Sequence, residues 1–311
     1  MEPMRVFVAG ATGVIGTRAV PLLIAAGHEV MALGRSPEKR RQLERAGAQP
    51  VAVDLFSPQD VRGAVAGHDT VINLATHIPP GMRALLPGVW RENDRLRQTA
   101  SAILAQAALA GGAQRFIQES FAPVYPARGE RWIDESVPLA PAPFNRSILD
   151  AERAAERFTS GGGIGVVLRF GAFYGPDAAH VLDLIGMVRR GWAPMPGSAE
   201  SFISSVSHDD AAGAVVAALG ARSGAYNVVD DEPLSHRDYV DTLAAALGVA
   251  PPRLPPPWAA RLFGSMGEML ARSLRISNKR LKQGTGWQPR YPSMREGWPA
   301  VVTELSLVKA T

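Results

Sequence analysis

The residues with the plainest chemical purpose are the glycines of GATGVIG, residues 10–16. They follow a short apolar run, Arg5 to Ala9, and open a stretch with helical spacing, Gly13 to Ala26. A strand, a glycine turn and a helix in that order form a cradle for the phosphates of a dinucleotide. Gly10 permits the tight turn, Gly13 lets the backbone approach a pyrophosphate, and Gly16 lets the helix pack close to the sheet. The helix start presents free N–H groups and the positive end of its dipole. Thr12, Val14 and Ile15 complete this candidate cofactor-binding loop.

The end of the next strand bears on which dinucleotide binds. An NAD site usually places an acid there, against the ribose 2′-hydroxyl. This chain reads ALGRSPEKRR over residues 32–41, with Gly34, Arg35 and Ser36 where the acid would stand. Arg35 can form a bidentate pair with a 2′-phosphate, and Lys39 or Arg40 could add charge. The expectation is NADP(H) rather than NAD(H), weighed against an Arg35 that is only a surface arginine.

The elements that must position this chemistry alternate in type. Strands are expected at Arg5–Ala9, Glu29–Leu33, Pro50–Val53, Asp69–Ala75, Arg115–Gln118 and Gly165–Phe170. Helical patterns lie between them, at Pro37–Ala46, Pro58–Val65, Asn93–Leu109 and Ser147–Phe158. Strands separated by helices imply right-handed βαβ units and a parallel sheet covered on both faces. The fold class is therefore α/β, a Rossmann-type doubly wound parallel sheet with a smaller C-terminal substrate lobe. The domain expectation is 1–174 for the dinucleotide-binding part, with 206–229 returning to it, and 175–311 mainly for the lobe. After five prolines at 251–257, Trp258, Leu262, Phe263, Met266, Met269 and Leu270 recur at helical spacing. That stripe reads first as a helix packed on the core, and second as a substrate lid or dimer face.

The chain resembles the extended short-chain dehydrogenases/reductases, the group of the NAD-dependent epimerases and dehydratases. The resemblance rests on GATGVIG at 10–16, VDL at 53–55, INLAT at 72–76, Asn93, RFGAFYGP at 169–176, SHDDAAGAV at 207–215, YNVVDDEPLS at 226–235 and GWQPRYPS at 286–293. It implies that Asp54 and Leu55 border the adenine, that Leu74, Ala75 and Thr76 line the ribose, and that Phe170, Gly171 and Phe173 flank the nicotinamide. It also implies a Tyr-x-x-x-Lys dyad, in which the tyrosine moves the substrate proton and the lysine holds the ribose and lowers the tyrosine pKa. The matching stretch, PFNRSILDAERA at 143–154, puts Phe144 and Ile148 in those two places. Neither can carry a proton.

The family's serine or threonine stands four residues before a Val-Tyr pair. The pair here is Val124–Tyr125, the residue four before Tyr125 is Phe121, and Ser120 is one position earlier. The substitute proton donors are Tyr125 first and Ser120 second, with His77, Glu119 and Tyr174 behind them. The expected function is an NADP(H)-dependent oxidoreductase or epimerase-like enzyme with an atypical proton donor or a redox-neutral reaction. The alternative is a non-catalytic NADP(H)-binding sensor.

Composition bounds the rest. The chain of 311 residues is 46% hydrophobic and 20% charged, ordinary for a globular protein. It has no cysteine, which excludes thiolate catalysis and disulfides. No His and acid cluster has ligand spacing, so no metal is expected. No signal-peptide pattern precedes the first strand, and the longest apolar stretch, Ala19 to Ala26, is too short to span a bilayer. The expected setting is cytoplasmic, with no membrane partner. Between Arg253 and Arg295 nine basic residues stand against one acid, leaving the remainder of a +4 chain at −4. Such asymmetry points to an anionic small-molecule substrate, weighed against a solvated face. Few aromatics interleave with those charges, so no nucleic-acid partner is expected. A homodimer is left open.

Overall fold

The computed structural model describes residues 2–79, 83, 84, 86 and 88–310, with side chains described as far as residue 307. In chain order the first half runs β1 (Arg5–Ala9), α1 (Gly16–Ala25), β2 (Glu29–Leu33), α2 (Pro37–Arg45), β3 (Gln49–Val51), α3 (Pro58–Val65), β4 (Thr70–Asn73), α4 (Arg91–Arg95), α5 (Ser101–Ala110), β5 (Arg115–Phe121), β6 (Trp132–Ile133), α6 (Ile148–Ser160) and β7 (Ile164–Phe170). The second half runs β8 (Ala172–Tyr174), α7 (Ala179–Val188), β9 (Phe202–Ile203), β10 (Ser205–Ser207), α8 (His208–Ala217), β11 (Gly224–Val228), β12 (Leu234–Ser235), α9 (His236–Leu247), α10 (Gly264–Leu270), β13 (Arg275–Ile276), α11 (Lys279–Thr285) and α12 (Met294–Ala310).

Seven strands form one sheet in the order β11-β7-β5-β4-β1-β2-β3, every neighbouring pair parallel. Parallel strands are covered on both faces, so their sequences run apolar without alternation, as in RVFVA of β1. Val6, Val8, Ile72, Ile117 and Leu168 face one core with α1 and α8. Phe7, Val71, Phe116 and Val167 face the other with α3, α5 and α6. The sheet is therefore the expected Rossmann-type, doubly wound one.

The lobe has its own core, in which Trp298, Val240 and Leu243 are fully buried beside Tyr174 and Val181. Two clamps fasten it to the sheet layer. Arg272 Nη1 donates to the carbonyls of Tyr125 (2.9 Å) and Ala140 (2.8 Å). The Asp210 carboxylate accepts from the backbone N–H of Arg290 at 2.6 Å, and its carbonyl accepts from Trp287 Nε1 at 3.2 Å.

Some expected boundaries move, each for a local reason. Ser36 caps α2 by accepting from Lys39 N at 3.2 Å, as its position before Pro37 leads one to expect. The third strand ends at Val51, short of Val53. The fifth runs on to Phe121, so Glu119 and Ser120 are strand residues. The long helix begins at Arg91 and widens into a π turn over Leu96–Ala100 before α5. Residues Pro257–Phe263 form a 3₁₀ turn, and Gly264, at φ 55°, opens α10 directly after it. Most of the stripe on this segment does not pack on the core: Trp258, Leu262, Phe263 and Leu270 are exposed and Met266 half-buried, while Met269 is buried.

Candidate functional site

The phosphate loop is built by steric necessity. Gly10 has φ +75°, and a Cβ there would lie 2.4 Å from the Leu74 carbonyl carbon and oxygen. A Cβ on Gly16 would lie 2.3 Å from the Gly10 carbonyl oxygen. Both positions are closed to any side chain. Gly13 differs. It is exposed, and its Cβ would meet only the Gly10 oxygen at 3.3 Å, so its free side faces outward. No side chain caps α1, and no acid stands in its first turn. Thr12 is half-buried and Val14 exposed on the same rim, with Ile15 turned inward at 8% exposure. An open glycine beside an uncapped helix start fits a pyrophosphate.

The rim beyond β2 fits a charged ribose. Arg35 is exposed, and among the described residues it has no side-chain partner. Arg40 Nη1 donates to the Gly34 carbonyl at 3.2 Å and holds the turn beneath it. Across the rim, Asp54 Oδ1 accepts from Phe56 N at 2.9 Å, which fixes the loop around the buried Leu55. The turn after β4 is pinned by Asn73. Its Oδ1 accepts from Ala75 N at 3.2 Å, and its Nδ2 donates to Gln118 Oε1 at 2.9 Å. Leu74 is buried, while Ala75 and Thr76 are half-buried at the strand end. Asn93 holds the next residue, its Oδ1 accepting from His77 N at 2.9 Å.

At the far end, Phe170 is fully buried, so its side chain belongs to the core and only its backbone can border a ligand. Gly171 is closed in as well, its Cβ position 2.7 Å from the Ser204 carbonyl oxygen. Phe173 is half-buried and stacks on Phe170 at 5.4 Å and on His208 at 5.9 Å. The two residues that the resemblance sets at the dyad positions are apolar. Phe144 sits on a 3₁₀ turn, Pro143–Asn145, with its ring 5.0 Å from that of Trp90. Ile148 opens α6 and is fully buried.

The two expected proton donors are enclosed by their surroundings. Tyr125 has none of its surface exposed. Its hydroxyl donates to Asn227 Oδ1 at 2.9 Å and accepts from Arg169 Nη1 at 2.7 Å. Burial pushes its pKa up to about 12, against the pull of Arg169. Ser120 is equally buried and donates to Glu152 Oε1 at 2.6 Å. Glu152 in turn forms a two-pronged pair with Arg169, at 2.8 and 2.7 Å. These residues are one buried network that ties β5, α6, β7 and β11 together. Tyr125 and Ser120 have no exposed surface, and Glu152 and Arg169 keep only 5% and 6% of theirs. Tyr174, 1% exposed, is enclosed in the same way. Glu119 is also buried, 3.6 Å from Arg97; burial raises its pKa, with Arg97 opposing. Of the sequence candidates, His77 alone is exposed.

One cluster was not anticipated. Arg18, on α1 just past the phosphate loop, reaches Asp209 at 2.8 Å and Asp177 at 3.0 Å. His208 Nδ1 lies 3.0 Å from Asp177 Oδ1. Burial lowers the His208 pKa, against the pull of the Asp177 carboxylate. The cluster therefore links the phosphate-loop helix to the wall carrying Phe173. Its signal in the sequence was SHDDAAGAV with YGPD, which spacing alone does not bring together.

Much of the basic segment has structural employment. Arg275 covers the rings of Trp132 and Phe202, Arg280 covers Tyr226, and Lys282 pairs with Asp231 at 2.9 Å. Among the described residues no group of three or more His, Asp or Glu could hold a metal, and no helix is long and apolar enough to cross a membrane.

Comparison with known proteins agrees with this geometry. Residues 10–179 match the model of a family described as NAD(P)H-binding. The chain is 35% identical over 305 residues to a 3-diazoavenalumate denitrifying reductase of Streptomyces, covering 94% of this chain and 99% of that one. It is 27% identical over 300 residues to a 2-alkyl-3-oxoalkanoate reductase of Shewanella oneidensis, covering 88% of this chain and 73% of that one. In fold it is similar to a human epimerase family protein solved with NADPH, at TM-score 0.81 and 24% identity, over 97% of this chain and 100% of that one. An exposed glycine cradle, a seven-stranded parallel sheet and these relatives converge: the chain belongs to the NAD(P)H-binding family of extended short-chain dehydrogenase/reductase-type enzymes.

Proposed function

We propose that the chain is an NADP(H)-dependent reductase whose acceptor takes up a hydride without a proton from the protein. The observation that carries this is the apolar pair at the dyad positions, Phe144 against Trp90 and Ile148 fully buried. A reduced nicotinamide, when bound, supplies the hydride. A neutral ketone gains negative charge on accepting it and needs a general acid. An arenediazonium ion instead becomes neutral: a C–H bond forms, the C–N bond breaks, and its electron pair leaves with dinitrogen. Phe144 and Trp90, their rings tilted by 51°, offer aromatic surface to such an acceptor, and a cation gains from facing an aromatic ring. The relative named for denitrifying a diazo compound supports this class. An epimerase must also remove a proton, which the pair cannot do. Exposed Arg35 supports NADP(H), because a guanidinium can grip a 2′-phosphate at two points.

The test measures NADPH consumption, above the protein-free rate, with a 4-carboxybenzenediazonium salt and with 4-carboxyacetophenone. The diazonium ion should turn over with dinitrogen release, and His77→Phe should leave its rate within about twofold. Faster ketone reduction, with a loss of about 10²–10⁴ in His77→Phe, the range for a lost general acid, would overturn the proposal. The same apolar pair also favours a second reading, a non-catalytic NADP(H) sensor. Turnover of either acceptor rules that out.

A further inference from the structure

Arg18 uses each of its guanidinium nitrogens on a different segment. Nη1 donates to the Val14 carbonyl of the phosphate loop at 3.1 Å, Nε to Asp209 Oδ1 at the start of α8 at 2.8 Å, and Nη2 to Asp177 Oδ2 in the turn after β8 at 3.0 Å. The backbone N–H of Arg18 donates to the Ile15 carbonyl at 3.1 Å, which leaves the Val14 oxygen to side chains, Thr17 Oγ1 being the second at 3.2 Å. A trans peptide sets its N–H opposite its C=O. Holding the Val14 oxygen toward Arg18 therefore turns the Ile15 N–H the other way, toward the open start of α1, where backbone donors meet a phosphate.

The other arm ends on an aromatic ring. Asp177 Oδ1 lies 3.0 Å from His208 Nδ1, so one carboxylate joins the guanidinium to the imidazole. The turn is pressed onto that imidazole, since a Cβ on Gly175 would lie 2.4 Å from Nδ1. The His208 ring is buried and meets the ring of Phe173 at 5.9 Å, and His180 Nε2 lies 2.8 Å from the Phe173 carbonyl. Phe173 is half-buried, just beyond the carboxyl end of β7, as the phosphate loop is beyond that of β1. Open α/β sheets bind a dinucleotide across this edge. The contacts of Arg18 thus run from one part of that edge to another.

We propose that Arg18 is a positioning residue that sets the distance between the phosphate loop and the Phe173 wall, and so where the nicotinamide half of a bound dinucleotide comes to rest. The inference rests on the NADP(H) part of the reading above and needs nothing of its acceptor. Arg18 acts through Val14 on one side and through Asp177 and His208 on the other. Stability is a poor account of the cluster: the Arg18 and Asp177 side chains are 24% and 51% exposed, and exposed pairs contribute little. The helices α1 and α8 also pack on each other directly.

The test is titration with NADPH and with 2′-phospho-ADP-ribose, which keeps the pyrophosphate and lacks the nicotinamide. Asp177→Ala severs the wall arm alone. It should weaken NADPH about fivefold, move the emission of bound NADPH toward that of the free form, and leave 2′-phospho-ADP-ribose within about twofold. Arg18→Ala severs both arms and should weaken both ligands, NADPH by about tenfold. Arg18→Lys, a single-point donor, should recover little of that loss. Because both residues act through one chain of contacts, the double variant should bind NADPH no worse than Arg18→Ala. Thermal midpoints should stay near the wild-type value throughout. An unchanged ratio of the two affinities in both single variants overturns the proposal, and so does an additive loss in the double variant. A lowered midpoint with equal loss of both ligands in Asp177→Ala overturns it too, and makes the cluster a structural tie only. Because the readout is binding, the two proposals fail separately. The stated pattern without turnover removes the reductase reading alone, and turnover with an unchanged ratio removes the positioning role alone. NADH and ADP-ribose carry the same comparison if the wild type prefers NADH, an outcome that removes only the choice of dinucleotide.

Discussion

The phosphate loop and the end of β5 sit a few strands apart on the same edge of the sheet, and they have been shaped in opposite ways. At the loop, Gly10 and Gly16 are packed to contact so that Gly13 and the start of α1 stay open. At β5 the polar side chains are closed in: Ser120, Tyr125, Glu152 and Arg169 satisfy one another and none reaches solvent to a useful degree. The first region keeps backbone available for a ligand. The second spends its hydrogen-bonding groups on holding four elements together. The chain thus keeps backbone open in the first region and encloses its polar side chains in the second.

The largest test of that contrast is Glu152→Ala. It leaves Arg169 buried without its partner, and breaking a buried pair in this way costs about 3–5 kcal/mol. The denaturant midpoint should fall steeply, while the NADP(H) affinity of the folded fraction stays near the wild-type value. A loss below about 1 kcal/mol would show that the network does not hold the sheet. Tyr125→Phe comes next. It strips the hydroxyl from between Asn227 and Arg169, at a cost of about 1–3 kcal/mol, with turnover changed little. A large loss of turnover at unchanged stability would return Tyr125 to proton chemistry.

Gly13→Ala probes the open region. Its Cβ would press on the Gly10 carbonyl oxygen at 3.3 Å and meet nothing else, a tight contact that a small shift relieves, so stability should fall by no more than about 1 kcal/mol. Dinucleotide affinity should drop roughly tenfold, because the methyl group stands where the pyrophosphate approaches. Unchanged affinity by titration would place the phosphates elsewhere. The smallest effect is expected at Arg35→Ala, which should weaken NADP(H) about fivefold and leave NAD(H) alone, the share of one exposed charge-assisted pair. Equal affinities of the wild type for both dinucleotides would remove Arg35 from the site.

How much of this was legible follows the distance between partners. The phosphate loop is a local device: seven adjacent residues state the turn, the helix start and the opening. The α/β alternation is equally local, and it led to the sheet directly. The enclosure of Tyr125 was not legible because its partners, Arg169 and Asn227, are 44 and 102 residues away. A tyrosine beyond a strand end has the same sequence whether it faces a ligand or an arginine. Ser120 was misplaced for a related reason, since an expected strand end at Gln118 left it in a loop and the strand in fact continues to Phe121. The stripe from Trp258 to Leu270 shows the limit of periodicity. Spacing reveals that one face is apolar, but not whether that face meets the core or open space.

The position of β11 has a consequence for how the chain is made. This strand closes the sheet against β7, yet it lies at residues 224–228, beyond β8, α7 and α8. During synthesis β7 emerges long before its outer neighbour and for that interval presents an unpaired edge, rich in valine and leucine. Nascent chains stalled between residues 171 and 223 would therefore be the ones most prone to stick to one another or to recruit a chaperone. Slower translation across that stretch lengthens the exposure, so the yield of folded protein should depend on the ribosome's pace there, at codons that encode none of the site residues of the phosphate loop.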